Sequence, residues 1–109
     1  VAFVGDAGLE MVLGELATLR DSKCPIIVIV FVDRALALIE LKQRNLGLAN
    51  RAVEFGGTDF AKIAQSLNGE GFDANNCDEL KAAILSGLRS DTFSVIACHL
   101  ESRAYDNRI

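Results

Sequence analysis

The chain has 109 residues, half of them hydrophobic, and its 15 acidic side chains outnumber 11 basic ones to give a net charge of -4. This length predicts one domain around one hydrophobic core. The acidic balance, together with the lack of any basic cluster longer than a pair, argues against nucleic-acid binding.

Cysteine usage and hydropathy indicate the compartment. The three cysteines, Cys24, Cys77 and Cys98, are widely spaced and form no C-x-x-C pair, so neither a disulfide framework nor a zinc site is expected. The longest apolar run, PIIVIVFV at residues 25–32, is far too short to span a membrane. We therefore expect a cytoplasmic protein with no membrane partner. Because Val1 already lies in a strand-like stretch, we also expect the chain to be a fragment.

The first third of the chain alternates strand-like and helix-like patterns. VAFV at residues 1–4 predicts a short strand, and apolar residues near helical spacing predict a helix from Glu10 to Arg20. A turn is expected at Ser22 to Pro25. The next stretch, IIVIVFV at residues 26–32, is apolar on both alternating faces, which is typical of a central parallel strand covered by helices on both sides.

The middle of the chain predicts two helices separated by a loop. Ala35 to Gln43 favours a helix, and the polar stretch from Arg44 to Gly57 favours a loop. Thr58 is the expected N-cap of the following helix, DFAKIAQSL. That helix is expected to end at Asn68 and Gly69, since Gly and Asn are typical stop signals.

The last third adds two strands around one helix. A short strand is expected at Gly71 to Asp73, and Asn76 with Glu79 forms a capping-box pattern that predicts a helix starting directly afterwards. TFSVIACHL at residues 92–100 predicts the final strand, and residues 101–109 are a polar tail. This alternation predicts an α/β fold, a three-layer α/β/α sandwich with a mostly parallel sheet.

Two aspartates follow the first two predicted strands. In a parallel α/β sheet, ligands bind beyond the carboxyl ends of the strands, and Asp6 and Asp33 both occupy that edge. Mg²⁺ commonly takes one or two carboxylates together with phosphate oxygens and water. The helix beginning near Gly8 adds N–H groups suited to a phosphate. On spacing alone, a structural role such as helix capping explains Asp6 equally well and Asp33 somewhat better than metal binding does.

Three blocks of sequence carry a family resemblance: GDAGLEMVLGELATL, CPIIVIVFVDRALALIELKQ and VEFGGTDFAKIAQSLNGEGF. Together they resemble the C-terminal cofactor domain of thiamine-diphosphate-dependent enzymes, especially the acetolactate synthase group. The family motif begins Gly-Asp-Gly and closes with Asn-Asn at a strand end. Gly5 and Asp6 match its start, and Asp33 falls where the second Asn stands. Two positions depart: Ala7 replaces the second Gly, and Arg34 stands where a small or amide residue is usual.

The resemblance implies binding of thiamine diphosphate through Mg²⁺. The implied metal ligands are the side-chain oxygens of Asp6 and Asp33 and the backbone carbonyl of Ala35. The implied diphosphate contacts are Gly5 and the backbone N–H groups of Ala7 and Gly8.

The resemblance also assigns residues on the helix after the metal loop. Ile39 is implied to shape the space over the thiazolium, and Lys42 to contact substrate, although a solvated lysine is the simpler interpretation. His99 at a strand end, and Glu54 and Asp59 beside Gly56 and Gly57, are expected to be structural or solvated.

No catalytic residue is expected in this chain. In the family, the glutamate that activates the cofactor lies on a separate pyrimidine-binding domain of the same or a neighbouring subunit. The resemblance therefore implies a longer parent enzyme, a homodimer or homotetramer, that acts on 2-oxo acids by decarboxylation or C–C bond transfer. We expect the fragment alone to be inactive.

Two alternatives stay open at this point. One is a degenerate, non-catalytic domain of the same fold, which Ala7 and Arg34 favour. The other is a receiver-like, Mg²⁺-dependent signalling domain, which would carry an acidic pair after the first strand and a lysine at the end of the last one. The sequence has Asp6 alone at the first position and ends its last strand with CHLES.

Overall fold

A computed structural model describes residues 1–54, 56–101, 103–104 and 106–108 of the chain. Its four strands are β1 (Ala2–Gly5), β2 (Ile27–Val32), β3 (Glu70–Ala74) and β4 (Ser94–His99). They form one sheet in the order β1-β2-β4-β3, and every neighbouring pair is parallel. The predicted α/β fold with a parallel sheet is confirmed.

Five helices connect and cover these strands. They are α1 (Asp6–Glu10), α2 (Glu15–Ser22), α3 (Ala37–Asn45), α4 (Phe60–Ser66) and α5 (Cys77–Arg89). Within the described ranges, no helix is both long enough and apolar enough to cross a bilayer.

The apolar pattern of β2 explains the layering. β2 lies between β1 and β4, and every residue of it except the half-buried Phe31 is buried. Val28, Val30 and Val32 pack on one face with residues of α1, α2 and α4. On the other face, Ile27 and Ile29 pack in a second cluster with residues of β3, β4 and α5. A strand that is apolar on both sides therefore sits at the centre of three layers, as the sequence predicts.

The prediction of one continuous helix from Glu10 to Arg20 is wrong. Between α1 and α2 the chain makes tight turns, in which the Val12 N–H donates to the Leu9 carbonyl (3.0 Å) and the Glu15 N–H to the Val12 carbonyl (2.9 Å). Gly14 has low helix propensity, and Met11, which is 81% exposed, gains no packing that would offset it. The helix therefore breaks in two.

Thr58 does not cap α4, contrary to the prediction. The cap is Asp59, whose side chain accepts a hydrogen bond from the Lys62 N–H, while the Thr58 hydroxyl donates to the Glu10 carboxylate. The predicted end of this helix is confirmed: Asn68 has a φ of +62°, and the Gly69 N–H donates to the Ala64 carbonyl at 2.8 Å.

The capping residues of α5 are close to those predicted. The Asn76 side chain accepts from the Glu79 N–H at 2.9 Å, which confirms the first half of the capping box. The Glu79 carboxylate accepts instead from the Asn75 N–H (2.7 Å), one residue earlier than a capping box requires. The preceding strand, β3, begins at Glu70 and is longer than the three residues predicted.

Replacing Gly71 with alanine is expected to destabilise the protein by about 3 kcal/mol or more, because the new methyl group overpacks a rigid contact. A Cβ at Gly71 would lie 2.0 Å from the carbonyl oxygen of Ala61 in α4. The matched control is Gly14→Ala, where no atom lies within 4 Å of the added Cβ. That change is expected to alter stability by less than about 1 kcal/mol. Urea unfolding followed by circular dichroism measures both, and equal effects would contradict the tight β3–α4 packing.

Candidate functional site

The candidate site lies at the carboxyl edge of the sheet, between β1 and β2. These strands are parallel neighbours in which Gly5 pairs with Phe31. Asp6 directly follows β1 and opens α1, and Asp33 directly follows β2. The parallel pairing therefore places both aspartates at the same edge of adjacent strands.

Asp6 connects the two strand ends through backbone hydrogen bonds. Its side chain is 4% exposed. Oδ1 accepts from the Ala7 N–H at 2.8 Å, and Oδ2 accepts from the N–H of Arg34, 28 residues along the chain, also at 2.8 Å. Each carboxylate oxygen can accept more than one bond, so both retain capacity for a cation. The carboxylate is held in one orientation before any ligand binds.

Asp33 is half-buried and lies beside Asp6. Its Oδ1 accepts from the Ala35 N–H at 3.2 Å. Burial raises the pKa of the Asp33 carboxyl; the Ala35 hydrogen bond opposes this shift, and the negative charge of Asp6 adds to it. Two partly desolvated carboxylates at one edge repel each other, and a divalent cation between them would remove that repulsion. The donor set therefore fits a hard cation such as Mg²⁺.

The backbone accommodates one departure from the family motif, Ala7, without strain, and the other, Arg34, at a conformational cost. Ala7 lies in the first turn of α1 and is not among the described residues with positive φ, so its methyl group causes no strain there. Arg34 has a φ of +58°, a conformation that glycine and asparagine adopt most easily. Its side chain is exposed and lies beside Gly56, where an added Cβ would be 3.0 Å from the Arg34 Cγ.

A cavity of about 760 Å³ opens at this edge of the sheet. Its wall combines apolar side chains with a few charged ones. It is lined by Gly5, Asp6, Ala7, Phe31, Asp33, Ala35, Leu36, Ala37, Leu38, Ile39 and Arg108. Six residues that the family resemblance assigns to cofactor binding thus surround one space.

Two predicted site residues lie outside this wall. A Cβ at Gly8 would meet the Val4 side chain at 3.2 Å, so this glycine packs against β1. Lys42 is exposed on α3 and does not line the cavity. Phe31, Leu36 and Leu38 were not predicted to line the site, because their sequence pattern indicates only strand or helix positions. Arg108 was not predicted either, because the polar tail gives no signal for it.

A charged cluster lies on α3 next to the cavity. Glu40 is 7% exposed and accepts from the Arg44 Nε and the Asn50 Nδ2, each at 2.7 Å. The Arg44 guanidinium also donates to both carboxylate oxygens of Asp106, at 2.7 and 3.2 Å. Arg103 approaches Glu40 at 3.8 Å. These ion pairs therefore hold Arg103 and Asp106, which follow β4 in the chain, against α3.

The remaining candidates have structural partners. The His99 Nε2 lies 2.6 Å from the Asp73 Oδ1 on the neighbouring strand, at the end of β4. Glu54 forms an isolated antiparallel bridge with Ala35, next to the bond from the Leu36 N–H to the Val53 carbonyl (2.8 Å). Of the residues that the structure describes, no three His, Cys, Asp or Glu side chains cluster as a metal site. A cation here would rely on two carboxylates and backbone oxygen.

A comparison with protein families decides the assignment. The family model described as "Thiamine pyrophosphate enzyme, C-terminal TPP binding domain" matches residues 1–98. The chain belongs to this family. The receiver-like alternative is thereby excluded, and the resemblance seen in the sequence is confirmed.

Curated relatives of this thiamine pyrophosphate-binding domain include two types of protein. The chain is 31% identical over 91 residues to the putative thiamine pyrophosphate-containing protein YdaP of Bacillus subtilis. It is 29% identical over 91 residues to the acetolactate synthase of the same organism. It is 28% identical over 94 residues to the probable acetolactate synthase large subunit of Methanococcus aeolicus. Each match covers 84% of this chain but only 16% of the relative.

Solved structures of low sequence identity share the fold. The benzoylformate decarboxylase of Polynucleobacter necessarius superposes with a TM-score of 0.82 at 20% identity, covering 91% of this chain and 19% of that one. The thiamine diphosphate-dependent 4-hydroxybenzoylformate decarboxylase of Rhodococcus jostii RHA1 gives 0.84 at 17% identity, covering 92% and 19%. These likenesses establish the architecture of the TPP-binding domain, not its substrate.

The α3 cluster predicts a pH dependence of stability in this domain. Hydrogen bonds from Arg44 hold the pKa of the Glu40 carboxyl and the pKa of the Asp106 carboxyl below their usual ranges. A lowered folded-state pKa gives stability that is present above the ordinary carboxyl pKa and is lost as the pH falls through the folded value. The difference in melting temperature between wild type and Arg44→Gln should therefore shrink from about pH 6 to about pH 3.

Thermal unfolding at stepped pH values, followed by circular dichroism, measures this difference. The matched control is Arg89→Gln, which removes an exposed arginine on α5 and should change the melting temperature by a small amount that does not vary with pH. A difference in melting temperature between wild type and Arg44→Gln that stays constant across this pH range would contradict the prediction. It would show that the ionised carboxylates of the cluster do not contribute to stability.

Proposed function

We propose that this domain binds the diphosphate of thiamine diphosphate through Mg²⁺, as part of an acetolactate synthase-like enzyme acting on 2-oxo acids. The observation that carries the proposal is the pair Asp6 and Asp33, which lie at one sheet edge and line one cavity in a chain of the TPP-binding family. The family resemblance aligns both aspartates with the motif positions that are implied to bind the metal.

The proposed metal ligands are Asp6, Asp33 and the Ala35 carbonyl. Two backbone N–H bonds orient the Asp6 carboxylate, which is how outer partners commonly fix a metal ligand. The backbone hydrogen bond beside Ala35 runs from the Leu36 N–H to the Val53 carbonyl. It does not use the carbonyl oxygen of Ala35, so this bond does not compete with the proposed metal contact. Mg²⁺ keeps few protein ligands and completes its shell with phosphate oxygens and water, so two carboxylates and one carbonyl are sufficient.

The proposed diphosphate contacts are Gly5, Ala7 and Gly8. Gly5 lines the cavity, and no atom lies within 4 Å of a Cβ placed there, so a phosphate can approach its backbone closely. The Ala7 N–H already donates to Asp6. Gly8 lies in the first turn of α1, where N–H groups lack partners within the helix. With so few amide donors, a cation would neutralise much of the diphosphate charge, and we expect binding to depend strongly on Mg²⁺.

When bound, thiamine diphosphate would supply a thiazolium, an electron sink for negative charge that develops at the carbonyl carbon of the substrate. The chain's own residues would bind it, orient it and exclude water. The apolar side chains of Phe31, Leu36 and Ile39 line the same cavity as the carboxylates, and we propose that Ile39 shapes the space over the thiazolium. Lys42, exposed one helical turn further on, is a candidate for contact with the substrate carboxylate.

Other parts of the enzyme would complete the site. The chain spans 16% of the length of its curated relatives, and we propose that the activating glutamate lies on a pyrimidine-binding domain of the same or a neighbouring subunit in a homodimer or homotetramer. Phe3 is 66% exposed and stacks on Phe31 with ring centroids 6.2 Å apart. This exposed apolar surface beside the cavity is suited to contact with another domain. The three free cysteines fit a reducing cytoplasm.

Calorimetric titration of the full-length protein with thiamine diphosphate, with and without Mg²⁺, tests the proposal. Binding should require Mg²⁺, and Asp6→Ala and Asp33→Ala should each weaken it by roughly tenfold or more, since each removes a metal ligand. Asp33→Asn should retain binding because an amide oxygen can replace the carboxylate, as in the family motif. The matched control is Asp91→Asn, an exposed aspartate just before β4 at the opposite edge of the sheet.

Binding that ignores Mg²⁺, or that survives both alanine substitutions, would contradict the proposed site. No binding by the wild type would favour the alternative of a degenerate domain that keeps the fold without the cofactor. If the cofactor binds, a panel of 2-oxo acids assayed for CO₂ release would identify the substrate class.

A further inference from the structure

We propose that Arg108 recognises an oxyanion in the cavity and that the chain after β4 positions it there. This chain segment, residues 103–104 and 106–108, is called the strap below. The proposal rests on the proposed function and extends it to a residue outside the family motif.

The charge distribution in the cavity wall points to Arg108. Of the described residues lining the cavity, three are charged, and Arg108 is the cationic one beside Asp6 and Asp33. Among the described residues, no ion pair joins Arg108 to either aspartate. Asp6 already accepts two backbone N–H groups. A guanidinium stays charged at any physiological pH, so it is available to an anion that enters the cavity.

The strap holds Arg108 at this position through several anchors. Asp106, two residues before Arg108, accepts the bidentate bond from Arg44 at 2.7 and 3.2 Å. The Asp106 N–H donates to the Arg103 carbonyl at 3.0 Å, and Asn107 has a φ of +62°, so the backbone turns sharply just before Arg108. Arg44 in turn is bound to the buried Glu40 at 2.7 Å. Anchoring of this kind reduces the entropy lost when the side chain binds a ligand.

The chemistry of the guanidinium defines the ligand class. Its planar fork matches two oxygens of a carboxylate or a phosphate in bidentate fashion. Two oxyanions enter the proposed reaction, the diphosphate of the cofactor and the carboxylate of the 2-oxo acid, and both would reach the cavity that Arg108 lines. The two sources share one chemistry, and an experiment with two arms separates them.

The experiment uses Arg108→Gln in the full-length protein. The first arm measures the affinity for thiamine diphosphate in saturating Mg²⁺ by calorimetry, and the second measures KM and kcat for a 2-oxo acid, with pyruvate tried first, at saturating cofactor. Loss of a charge-assisted bidentate bond should weaken one of these two interactions by roughly tenfold. A weaker cofactor affinity assigns the diphosphate, and a raised KM with unchanged cofactor affinity assigns the carboxylate.

Three further variants separate recognition from a structural effect. Arg108→Lys should restore part of the lost affinity, because it keeps the charge but not the planar fork. Asp106→Asn should weaken the same arm by a smaller factor, because it loosens the strap. Arg89→Gln, the exposed control on α5, should change neither arm.

Wild-type protein that binds thiamine diphosphate with Mg²⁺, while Arg108→Gln leaves both affinity and KM unchanged, would overturn the role of Arg108 and leave the proposed function intact. Wild-type protein that does not bind the cofactor would instead overturn the proposed function. A lowered melting temperature in Arg108→Gln without rescue by Arg108→Lys would mark a purely structural residue and also overturn the proposal.

Discussion

One hydrogen bond organises the candidate site: the Arg34 N–H donates to the buried carboxylate of Asp6 at 2.8 Å. This bond joins the turn after β2 to the start of α1, so the two strand ends share one anchor. Because the turn is fixed, Asp33 lies next to Asp6, and Ala35 is in position to form its antiparallel bridge with Glu54. The cavity, the proposed cation position and the start of α3 all depend on this turn.

The sequence predicted those parts of the fold that depend on periodicity and on parallel topology. The two-sided apolar pattern of β2 identified a central strand, and parallel pairing then implied that Asp6 and Asp33 meet at one edge. Two local features were missed: Asp59 rather than Thr58 caps α4, and turns at residues 11–14 divide the predicted helix in two. Arg108 could not be predicted, because its position depends on long-range ion pairs that have no periodic signature.

The distribution of apolar surface supports the proposal that this domain contributes part of a site shared with another domain. Its two buried clusters lie on opposite faces of the sheet, yet apolar side chains remain exposed beside the cavity, at Phe3, Leu38 and Ile39. A domain that completed its site alone would gain stability by covering such a surface. The chain spans only 16% of the length of each of these curated relatives, which leaves room in such proteins for the other domains that we propose.

The contact between Arg34 and Gly56 has a consequence for how this turn can vary in evolution. A Cβ at Gly56 would lie within 3.0 to 3.2 Å of three carbons of the Arg34 side chain, and Gly56 itself has a φ of +139°. The positive φ disfavours a side chain at position 56, whereas the steric contact is the weaker constraint, because the exposed Arg34 side chain can shift. A smaller residue at position 34 would relieve the contact with a side chain at position 56, but the φ of position 56 would still disfavour any residue other than glycine.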